Sequence, residues 1–425
     1  MTNTIKEVVR QGLCTGCGTC IAVCPKGALT LVEDQKSGTY LPKLDSSKCD
    51  QCGVCLLVCP GIGIDFKKLN SFVFGKEPED ILLGNYIDCY AGYASDQKLR
   101  YNASSGGLVT ALASFALETG EVDGVLVTKM DPEKPLKPKP FIAKSKQELV
   151  SAIGSKYCPV PANILLKEIL KEQGHYIVVG LPCHIQGVRK AQALIKKLRD
   201  RIRLCFGLAC NHTPTFQATK YLLKKLRISE DAVVKLDYRG KGWPGGMGIS
   251  LDDGSEIFVP QGHKYYWGLV FNRFFWPDRC ILCEDKLCEL ADITFMDAWL
   301  PEFSSDKIGT SLIVVRSKKG NELIDEAVKH EIIKLQDISV EKIIESQSMK
   351  TRVRKIVARK LISQLLFCKA LPCDRFTFKP TFLDLLDALH FTVTNKICKN
   401  NLFSQFLIDC HVIIWDIARL IKKLL

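Results

Sequence analysis

The stretch CTGCGTCIAVCP, residues 14–25, holds four cysteines separated by two, two and three residues, and a proline follows the last one. The stretch CDQCGVCLLVCP, residues 49–60, repeats the same spacing. Three cysteines spaced in this way wrap around one corner of a four-iron cluster, and the cysteine before the proline ligates the other cluster of the pair. The repeat therefore predicts two iron–sulfur clusters that exchange their fourth ligands.

This exchange assigns eight cysteines to two clusters. The first cluster takes Cys14, Cys17, Cys20 and Cys59, and the second takes Cys49, Cys52, Cys55 and Cys24. Zinc is the rival interpretation, but zinc needs only the C-x2-C pairs and leaves the third cysteine and the C-P endings without a role. Residues 1–69 resemble bacterial two-cluster ferredoxins and are predicted to form one such domain.

The composition of the 425-residue chain narrows its class further. Its 20 cysteines come without an apolar leader segment, so we expect metal ligands rather than a disulfide framework. No apolar run is long enough to predict a membrane-spanning helix. Much of the net charge of +13 lies after residue 349, where 14 lysines and arginines accompany 5 acidic residues, and no nucleic-acid-binding motif is present. We expect a cytoplasmic protein that binds no nucleic acid.

From about residue 85, strand-like runs alternate with helical ones, which predicts an α/β domain over 85–345 with a largely parallel sheet. The segment DPEKPLKPKP, 131–140, predicts an exposed loop, and residues 233–259 predict a hairpin with glycine turns. Residues 346–425 predict a helical, basic extension. The predicted fold is thus an α+β ferredoxin domain, an α/β domain and a helical C-terminal tail.

More cysteines fall at strand ends of the second domain. Cys183 follows one predicted strand, Cys210 follows the next, and RCILCEDKLC adds Cys280 and Cys283. The carboxyl ends of parallel strands share one edge of a sheet, and Cys280 and Cys283 form a C-x2-C pair, so these four are candidate ligands of a third cluster. The alternatives are cysteines that pack as small apolar residues and, for Cys183, a redox-active thiolate at a helix start.

Five stretches of this domain resemble the beta subunit of coenzyme F420-reducing hydrogenases and dehydrogenases. They are SSGGLVTALASFALETGEVDGVLV, GSKYCP, VGLPCHIQGVRK, RGKGWPGG and CILCEDKLCELADITFMDAW. The resemblance runs over residues 88–327, and the ferredoxin-like unit precedes it as in many members of the family. It implies a domain that binds FAD, holds a 4Fe–4S cluster and exchanges hydride with coenzyme F420 or another soluble substrate.

The resemblance implies that several residues of this domain bind the cofactor. They are Ser104, Ser105, Gly106, Gly107, Lys156, Tyr157, Arg239 and Asp297. The first four open a helix whose N–H groups suit a pyrophosphate, although a plain helix cap is the alternative. Lys156 and Tyr157, in the stretch GSKY, could bind phosphate or stack on a ring. Arg239, with Lys241, could attract an acidic coenzyme tail or lie in a solvated turn, and Asp297 could orient a cofactor or cap the next element.

The leading functional prediction is an iron–sulfur flavoprotein oxidoreductase. It would transfer electrons between reduced coenzyme F420 and a redox protein or another oxidoreductase subunit, through FAD and the clusters. One alternative is a ferredoxin-dependent reductase of the same fold that acts on another organic substrate. The other is a non-catalytic electron-transfer subunit without flavin. The sequence singles out no catalytic residue.

The end of the chain, NLFSQFLIDCHVIIWDIARLIKKLL, predicts an amphipathic helix. Its apolar positions recur at steps of three and four, at Phe403, Phe406, Cys410, Ile413, Ile417, Leu420 and Leu424. Such a helix, with basic residues nearby, can lie in the surface of an anionic membrane. It can equally cover the protein's own core or dock a partner subunit. Peripheral contact with the inner face of a membrane is therefore one of three predictions.

Overall fold

The computed structural model describes residues 4–367, 375–376, 378–398 and 404–424. Its N-terminal unit consists of short helices around one antiparallel hairpin. The elements are α1 (Lys6–Arg10), α2 (Thr19–Ala22), β1 (Leu29–Asp34), β2 (Thr39–Leu44), α3 (Val54–Leu57) and α4 (Phe66–Phe74). Gly18 and Gly53, at φ 86° and 75°, start α2 and α3 at the same place in each cysteine motif. The sequence repeat is therefore also a repeat of backbone conformation.

The helix α4 continues beyond the predicted end of this domain at residue 69. The Asp65 carboxylate accepts a hydrogen bond from the backbone N–H of Lys68 and so caps the helix start. Gly75, at φ 75°, ends the helix in the left-handed conformation. Residues 70–74, which lie between the two predicted domains, are therefore helical.

The second domain contains two sheets. Its strands are β3 (Asp88–Ala94), β4 (Gly124–Asp131), β5 (Lys134–Ala143), β6 (Tyr176–Gly180), β7 (Ile202–Leu208), β8 (Val233–Asp237), β9 (Gly246–Leu251), β10 (Glu256–Pro260), β11 (Ile293–Asp297), β12 (Ser311–Val315) and β13 (Ile333–Asp337). Eight strands form the large sheet, in the order β13-β3-β12-β11-β7-β6-β4-β5. Its four central strands, β11, β7, β6 and β4, are parallel, and the flanking strands are antiparallel. The sheet is thus more mixed than the alternating pattern predicts.

The prediction of an exposed loop at residues 131–140 is wrong. This segment forms much of β5, which pairs with β4 along the edge of the sheet. Proline has no N–H for the ladder, but an edge strand has one side without a partner strand and tolerates it. The predicted hairpin at residues 233–259 is a separate antiparallel sheet with the order β10-β9-β8.

Helices of the second domain and tail cover both faces of the large sheet, and some of them pack instead against the small sheet. They are α5 (Gln97–Asn102), α6 (Leu108–Glu118), α7 (Lys146–Ser151), α8 (Leu166–Ile169), α9 (Pro182–Leu194), α10 (Lys196–Arg201), α11 (Phe216–Lys225), α12 (Val270–Arg273), α13 (Asp278–Ile281), α14 (Lys318–Lys329), α15 (Val340–Ser346), α16 (Met349–Phe367), α17 (Phe382–Cys398) and α18 (Ser404–Leu424). Two short 3₁₀ helices span Ala162–Leu165 and Pro301–Phe303. Val58 and Leu69 of the N-terminal unit share one hydrophobic core with Ile185 and Val188 of α9. The N-terminal unit is therefore packed firmly against one face of the sheet.

The tail helices α17 and α18 each bury one side and expose large apolar residues on the other. Helix α17 buries Asp384 and Asn395, while Leu383 is 74% exposed. Helix α18 buries Ile408 on one side, while Phe406 on the other side is 71% exposed.

Other residues of the predicted apolar stripe are placed in the same way as Phe406. Ile413 and Ile417 are exposed and Cys410 is half-buried, so this part of the stripe does not cover the protein's own core. Phe403 and the side chains of Leu420 and Leu424 lie outside the described residues. Within the described ranges, no helix combines the length and apolarity that crossing a bilayer requires.

Candidate iron–sulfur and flavin sites

The eight cysteines of the N-terminal unit line two separate cavities. One cavity, called the inner cavity, is lined by Cys14, Cys17, Cys20 and Cys59. The other, called the outer cavity, is lined by Cys24, Cys49, Cys52 and Cys55. These are the two sets that exchange of the fourth ligand predicts. Among the described residues, no three His, Cys, Asp or Glu side chains are grouped closely enough to hold a single metal ion.

Backbone N–H groups point at the sulfur atoms in both cavities. Gly16 N donates to Cys14 Sγ at 3.4 Å, and Gln51 N donates to Cys49 Sγ at the same distance in the second motif. Two further bonds of this kind, both at 3.3 Å, join Gly61 N to Cys59 Sγ and Ala28 N to Cys24 Sγ. Hydrogen bonds to sulfur stabilise thiolate ligands and tune the potential of iron–sulfur clusters. The cavities therefore fit four-iron clusters in their ligands and in the donors behind those ligands.

The two cavities differ in their contact with solvent. In the inner cavity Cys17, Cys20 and Cys59 are buried, whereas Cys52 of the outer cavity is exposed. Burial raises the pKa of Cys14 to about 12, and the neighbouring Cys17 adds to the effect. Thiolates at such a position need the positive charge of a bound metal. The outer cavity is therefore the one of the two that opens to solvent.

The four cysteines predicted to hold a third cluster also come together. Cys183 lies in the first turn of α9, after β6, and Cys210 follows β7. Cys280 lies in α13, and Cys283 comes just after it. Burial raises the pKa of Cys183, and nearby Cys17, Cys210, Cys280 and Cys283 raise it further. We call this set the third site.

The third site is adjacent to the inner cavity, since Cys17 belongs to the inner cavity and acts on Cys183. Arg279, next to Cys280, donates to the carbonyl oxygens of Gly61 at 3.1 Å and Pro60 at 3.3 Å. Both carbonyls directly follow the inner-cavity ligand Cys59. Arg279 therefore ties the two cysteine sets together.

Helix α9 makes a second connection between the two sets. Lys190 Nζ donates to the carbonyl oxygen of Cys59 at 2.7 Å. A Cβ atom at Gly187 would lie 2.3 Å from Thr19 Oγ1, beside the ligand Cys20. Glycine is therefore required for the helix that carries Cys183 to approach the inner cavity so closely.

Three of the predicted cofactor residues form one buried network at the carboxyl end of β11. Arg239 Nη1 donates to Asp297 Oδ2 at 2.7 Å and to Tyr157 Oη at 3.2 Å, and Nη2 donates to Asp297 Oδ1 at 3.1 Å. Asp297 thus neutralises Arg239, so the expectation that Arg239 attracts an acidic coenzyme tail does not fit this geometry. Lys241 is exposed and lies 3.6 Å from Glu256.

Lys156 differs from its prediction as a phosphate ligand. Its Nζ atom donates to the carbonyl oxygens of Ala152, Ile153 and Gly154 at 2.5, 3.0 and 2.7 Å. Burial lowers the pKa of Lys156 to about 8. All three N–H donors of the ammonium are occupied. In this conformation Lys156 closes the turn before Tyr157 rather than binding an anion.

The residues that open α6 are held mainly by protein contacts. Ser104 Oγ accepts a hydrogen bond from Ser155 N at 2.7 Å, and Ser105 Oγ donates to the Thr310 carbonyl at 2.8 Å. Those hydroxyls are therefore used in joining the segment to its neighbours.

The two glycines of this segment have different roles. A Cβ atom at Gly106 would lie 2.5 Å from the Gly92 carbonyl oxygen, so Gly106 permits close packing on β3. Gly107, at φ 78°, precedes α6 without a side-chain cap. The backbone N–H groups of the first turn remain as the donors that this segment offers an anion.

Two tryptophans belong to this network and were not predicted. Trp243 Nε1 donates to Asp297 Oδ1 at 3.3 Å, and its ring lies 4.7 Å from that of Trp299, which is exposed. Their presence in RGKGWPGG and in MDAW was the available signal, since an exposed aromatic pair beside polar groups suits a planar ring.

A chain of contacts joins this network to the third site. Gln347 Nε2 donates to the Asp297 carbonyl at 2.9 Å, and Lys286 Nζ donates to the Gln347 carbonyl at 2.7 Å. The Lys286 carbonyl accepts from Cys210 N at 2.9 Å. The edge of the sheet that carries Asp297 is thus physically continuous with the edge that carries the third cysteine set.

Cysteine-lined cavities joined to a polar and aromatic site at the sheet edge define an iron–sulfur oxidoreductase subunit. Comparison with protein families agrees. The N-terminal and C-terminal models of the coenzyme F420 hydrogenase/dehydrogenase beta subunit match residues 89–167 and 174–341. A 4Fe–4S dicluster domain matches residues 13–61. The chain belongs to this family of oxidoreductase subunits and carries the dicluster domain in front.

Individual relatives show which parts are shared. The chain is 27% identical over 270 residues to the coenzyme F420 hydrogenase subunit beta of Methanothermobacter thermautotrophicus, covering 62% of this chain and 88% of that protein. It is 26% identical over 348 residues to the coenzyme F420-dependent sulfite reductase of Methanocaldococcus jannaschii, covering 79% of this chain and 49% of that protein. A chain in the F420-reducing [NiFe] hydrogenase complex of Methanosarcina barkeri has the same fold, with a TM-score of 0.55 and 24% identity over 70% of this chain and 99% of that chain.

Proposed function

We propose that this protein is an iron–sulfur flavoprotein oxidoreductase that passes electrons between reduced coenzyme F420 and a protein partner, in either direction. The proposed cofactors are FAD at the Asp297 edge of the sheet and three 4Fe–4S clusters, one in each cysteine set. FAD, when bound, converts a hydride into single electrons that clusters can carry. The partner is a redox protein or another subunit of an oxidoreductase complex.

The observation that carries the proposal is the serial arrangement of the sites. Contacts run from Asp297 through Gln347 and Lys286 to Cys210 of the third site. The third site adjoins the inner cavity, and the outer cavity reaches the surface at Cys52. A non-catalytic electron carrier needs only the clusters, whereas this chain keeps an elaborate polar site at the opposite end of the series.

The residues of the chain have separate roles in this proposal. The first turn of α6 would bind the pyrophosphate of FAD through backbone N–H groups. Trp243 and Trp299 would offer flat apolar surfaces to a ring system. Arg239 holds the Asp297 carboxylate in place, and Lys156 fixes the turn that positions Tyr157. Burial of Cys17, Cys20 and Cys59 keeps water away from most of the inner cavity.

Anaerobic purification followed by absorption spectroscopy tests the proposal. Bound flavin, together with roughly eight to twelve iron atoms per chain, is expected if two or three clusters are present. Reduced coenzyme F420 should then bleach the flavin. A protein that contains flavin but responds only to reduced ferredoxin would support the alternative, a reductase of another organic substrate. A protein that contains iron but no flavin would support the non-catalytic alternative.

The proposal also includes a cytoplasmic location with the tail on an anionic membrane surface. The observation in its favour is the outer side of α17 and α18, which exposes Phe382, Leu383, Phe406 and Ile413. Apolar side chains that enter the interface, together with basic residues of the tail, would favour anionic lipid. The alternative to membrane contact is that a partner subunit docks on the same face of the tail.

A further inference from the structure

An arginine of the tail reaches into the third site. Arg352 lies in the first turns of α16, beyond the residues that the family models match. Its Nη2 atom donates to the Asn211 carbonyl at 3.2 Å and to the Cys283 carbonyl at 3.4 Å, and Nη1 donates to Asn211 Oδ1. The contacts fix the guanidinium against Cys283 and against Asn211, the residue that follows Cys210.

The guanidinium interacts electrostatically with three of the four cysteines of this site. Burial lowers the pKa of Arg352, and the charges of Cys283, Cys210 and Cys280 oppose that decrease. Its Nε atom is buried and has no hydrogen-bond partner among the described residues. A buried N–H without an acceptor destabilises the folded protein, so such donors are normally satisfied. Cluster sulfur is an acceptor that this donor would find only when the site is loaded.

We infer that Arg352 raises the reduction potential of the cluster held by Cys183, Cys210, Cys280 and Cys283. This inference rests on the third cluster of the proposed function. One-electron reduction adds a negative charge to the cluster, and a nearby fixed positive charge with an N–H donor stabilises that reduced form. The tail thereby tunes the site next to the flavin, so its role is not limited to surface contacts.

The other charged groups near the site are differently placed. Arg279 donates its Nε and Nη2 atoms to Gly61 and Pro60 of the inner-cavity loop, and Nη1 donates to the Leu282 carbonyl. Lys286 donates to the Gln347 carbonyl. Among these three cations, Arg352 is the one with an unused buried donor.

The test is an anaerobic redox titration of the full-length protein, monitored by electron paramagnetic resonance. Dithionite supplies one electron per cluster. The signal lost in Cys183→Ser identifies the third site. In Arg352→Gln, the equilibrium constant for reduction of that cluster should fall about tenfold, which is a shift of ~59 mV to lower potential for a one-electron couple. The other two potentials should not move.

Two further variants separate charge from folding. Arg352→Lys keeps the charge and should retain most of the reduction potential of the third cluster. If Arg352→Gln fails to assemble that cluster, the potential measured in Arg352→Lys tests the inference instead. Arg354→Gln removes the same charge from the same helix, but Arg354 pairs with Asp384 at 3.3 Å and is expected to leave every potential unchanged.

The possible failures are distinguishable. Three cluster signals with an unshifted third potential in Arg352→Gln would overturn the inference alone. A wild-type protein with only two cluster signals would overturn the third cluster of the proposed function and the inference with it. Equal shifts in Arg352→Gln and Arg354→Gln would show a general effect of charge and would also contradict the inference.

Discussion

Replacing Asp297 with asparagine leaves the guanidinium of Arg239 without its counter-charge. The side chains of Arg239 and Asp297 are only 4% and 17% exposed, and two hydrogen bonds of 2.7 and 3.1 Å join them. Removing one partner of a buried ion pair costs about 3–5 kcal/mol. Asparagine keeps one acceptor oxygen, and Arg239 retains its bond to Tyr157. We therefore expect Asp297→Asn to lower the free energy of unfolding by about 3 kcal/mol, at the lower end of that range.

Urea unfolding followed by tryptophan fluorescence measures this loss, because Trp243 is hydrogen-bonded to Asp297. The matched control is Glu256→Gln, which breaks the pair with Lys241 in the same part of the molecule. That pair is 58% and 69% exposed at 3.6 Å, so its loss should cost less than about 1 kcal/mol.

A second substitution tests the cause of the loss. In the Asp297→Asn background, Arg239→Gln removes the unpaired charge and should recover part of the stability. A loss in Asp297→Asn no larger than that of the control, or no recovery in the double variant, would refute the interpretation of this contact as a buried ion pair.

Three further predictions concern the third site and the tail. Cys183→Ser should remove the signal of one cluster and leave the two ferredoxin-type signals intact in paramagnetic resonance; unchanged cluster and flavin behaviour would make Cys183 a packing residue. Truncation after Gln347, which also removes Arg352, should abolish sedimentation with anionic liposomes, and the exposed-face variant Leu383→Ser should weaken it; equal binding by all three proteins, or none by any, would rule out the membrane contact. His390 Nε2 lies 3.1 Å from His411 Nε2, and burial with nearby Arg273 lowers the pKa of His390 below 6.5. Its contribution to tail docking should therefore be present above pH 6.5 and be lost as the pH falls below it, so proteolysis of the tail should accelerate at pH 5.5 in the wild type and less so in His390→Asn.

The sequence predicted the cysteine sets because their chemistry is local. Spacing within each C-x2-C-x2-C motif and the closing proline determine which sulfur atoms can reach a common centre, and the structure groups them accordingly around two cavities. The third set could be predicted from strand ends, since β6 and β7 are adjacent and parallel. The order of the strands brings Cys183 and Cys210 together, whereas Cys280 and Cys283 come from α13 and the residues just after it and were predicted from their C-x2-C spacing.

Other features could not be predicted because they depend on long-range contacts. Whether Arg239 faces a coenzyme or Asp297 depends on residues 58 positions apart in sequence. The three carbonyls around Lys156 result from the shape of one turn. The segment at 131–140 has a loop-like composition but lies at a sheet edge. Arg352 looked like one basic residue among many in the tail, and only folding places it beside Cys283.

Mixing the anaerobically purified protein with reduced coenzyme F420 tests whether electrons pass through the flavin and the third site to the two ferredoxin-type clusters. In the wild type, the flavin absorbance and the broad absorbance of the clusters should both bleach. In Cys183→Ser the flavin should still bleach promptly, while the two ferredoxin-type clusters remain oxidised, because the third site connects them to the flavin. Clusters that are reduced equally fast in the variant, or a flavin that does not respond to reduced coenzyme F420, would contradict the account.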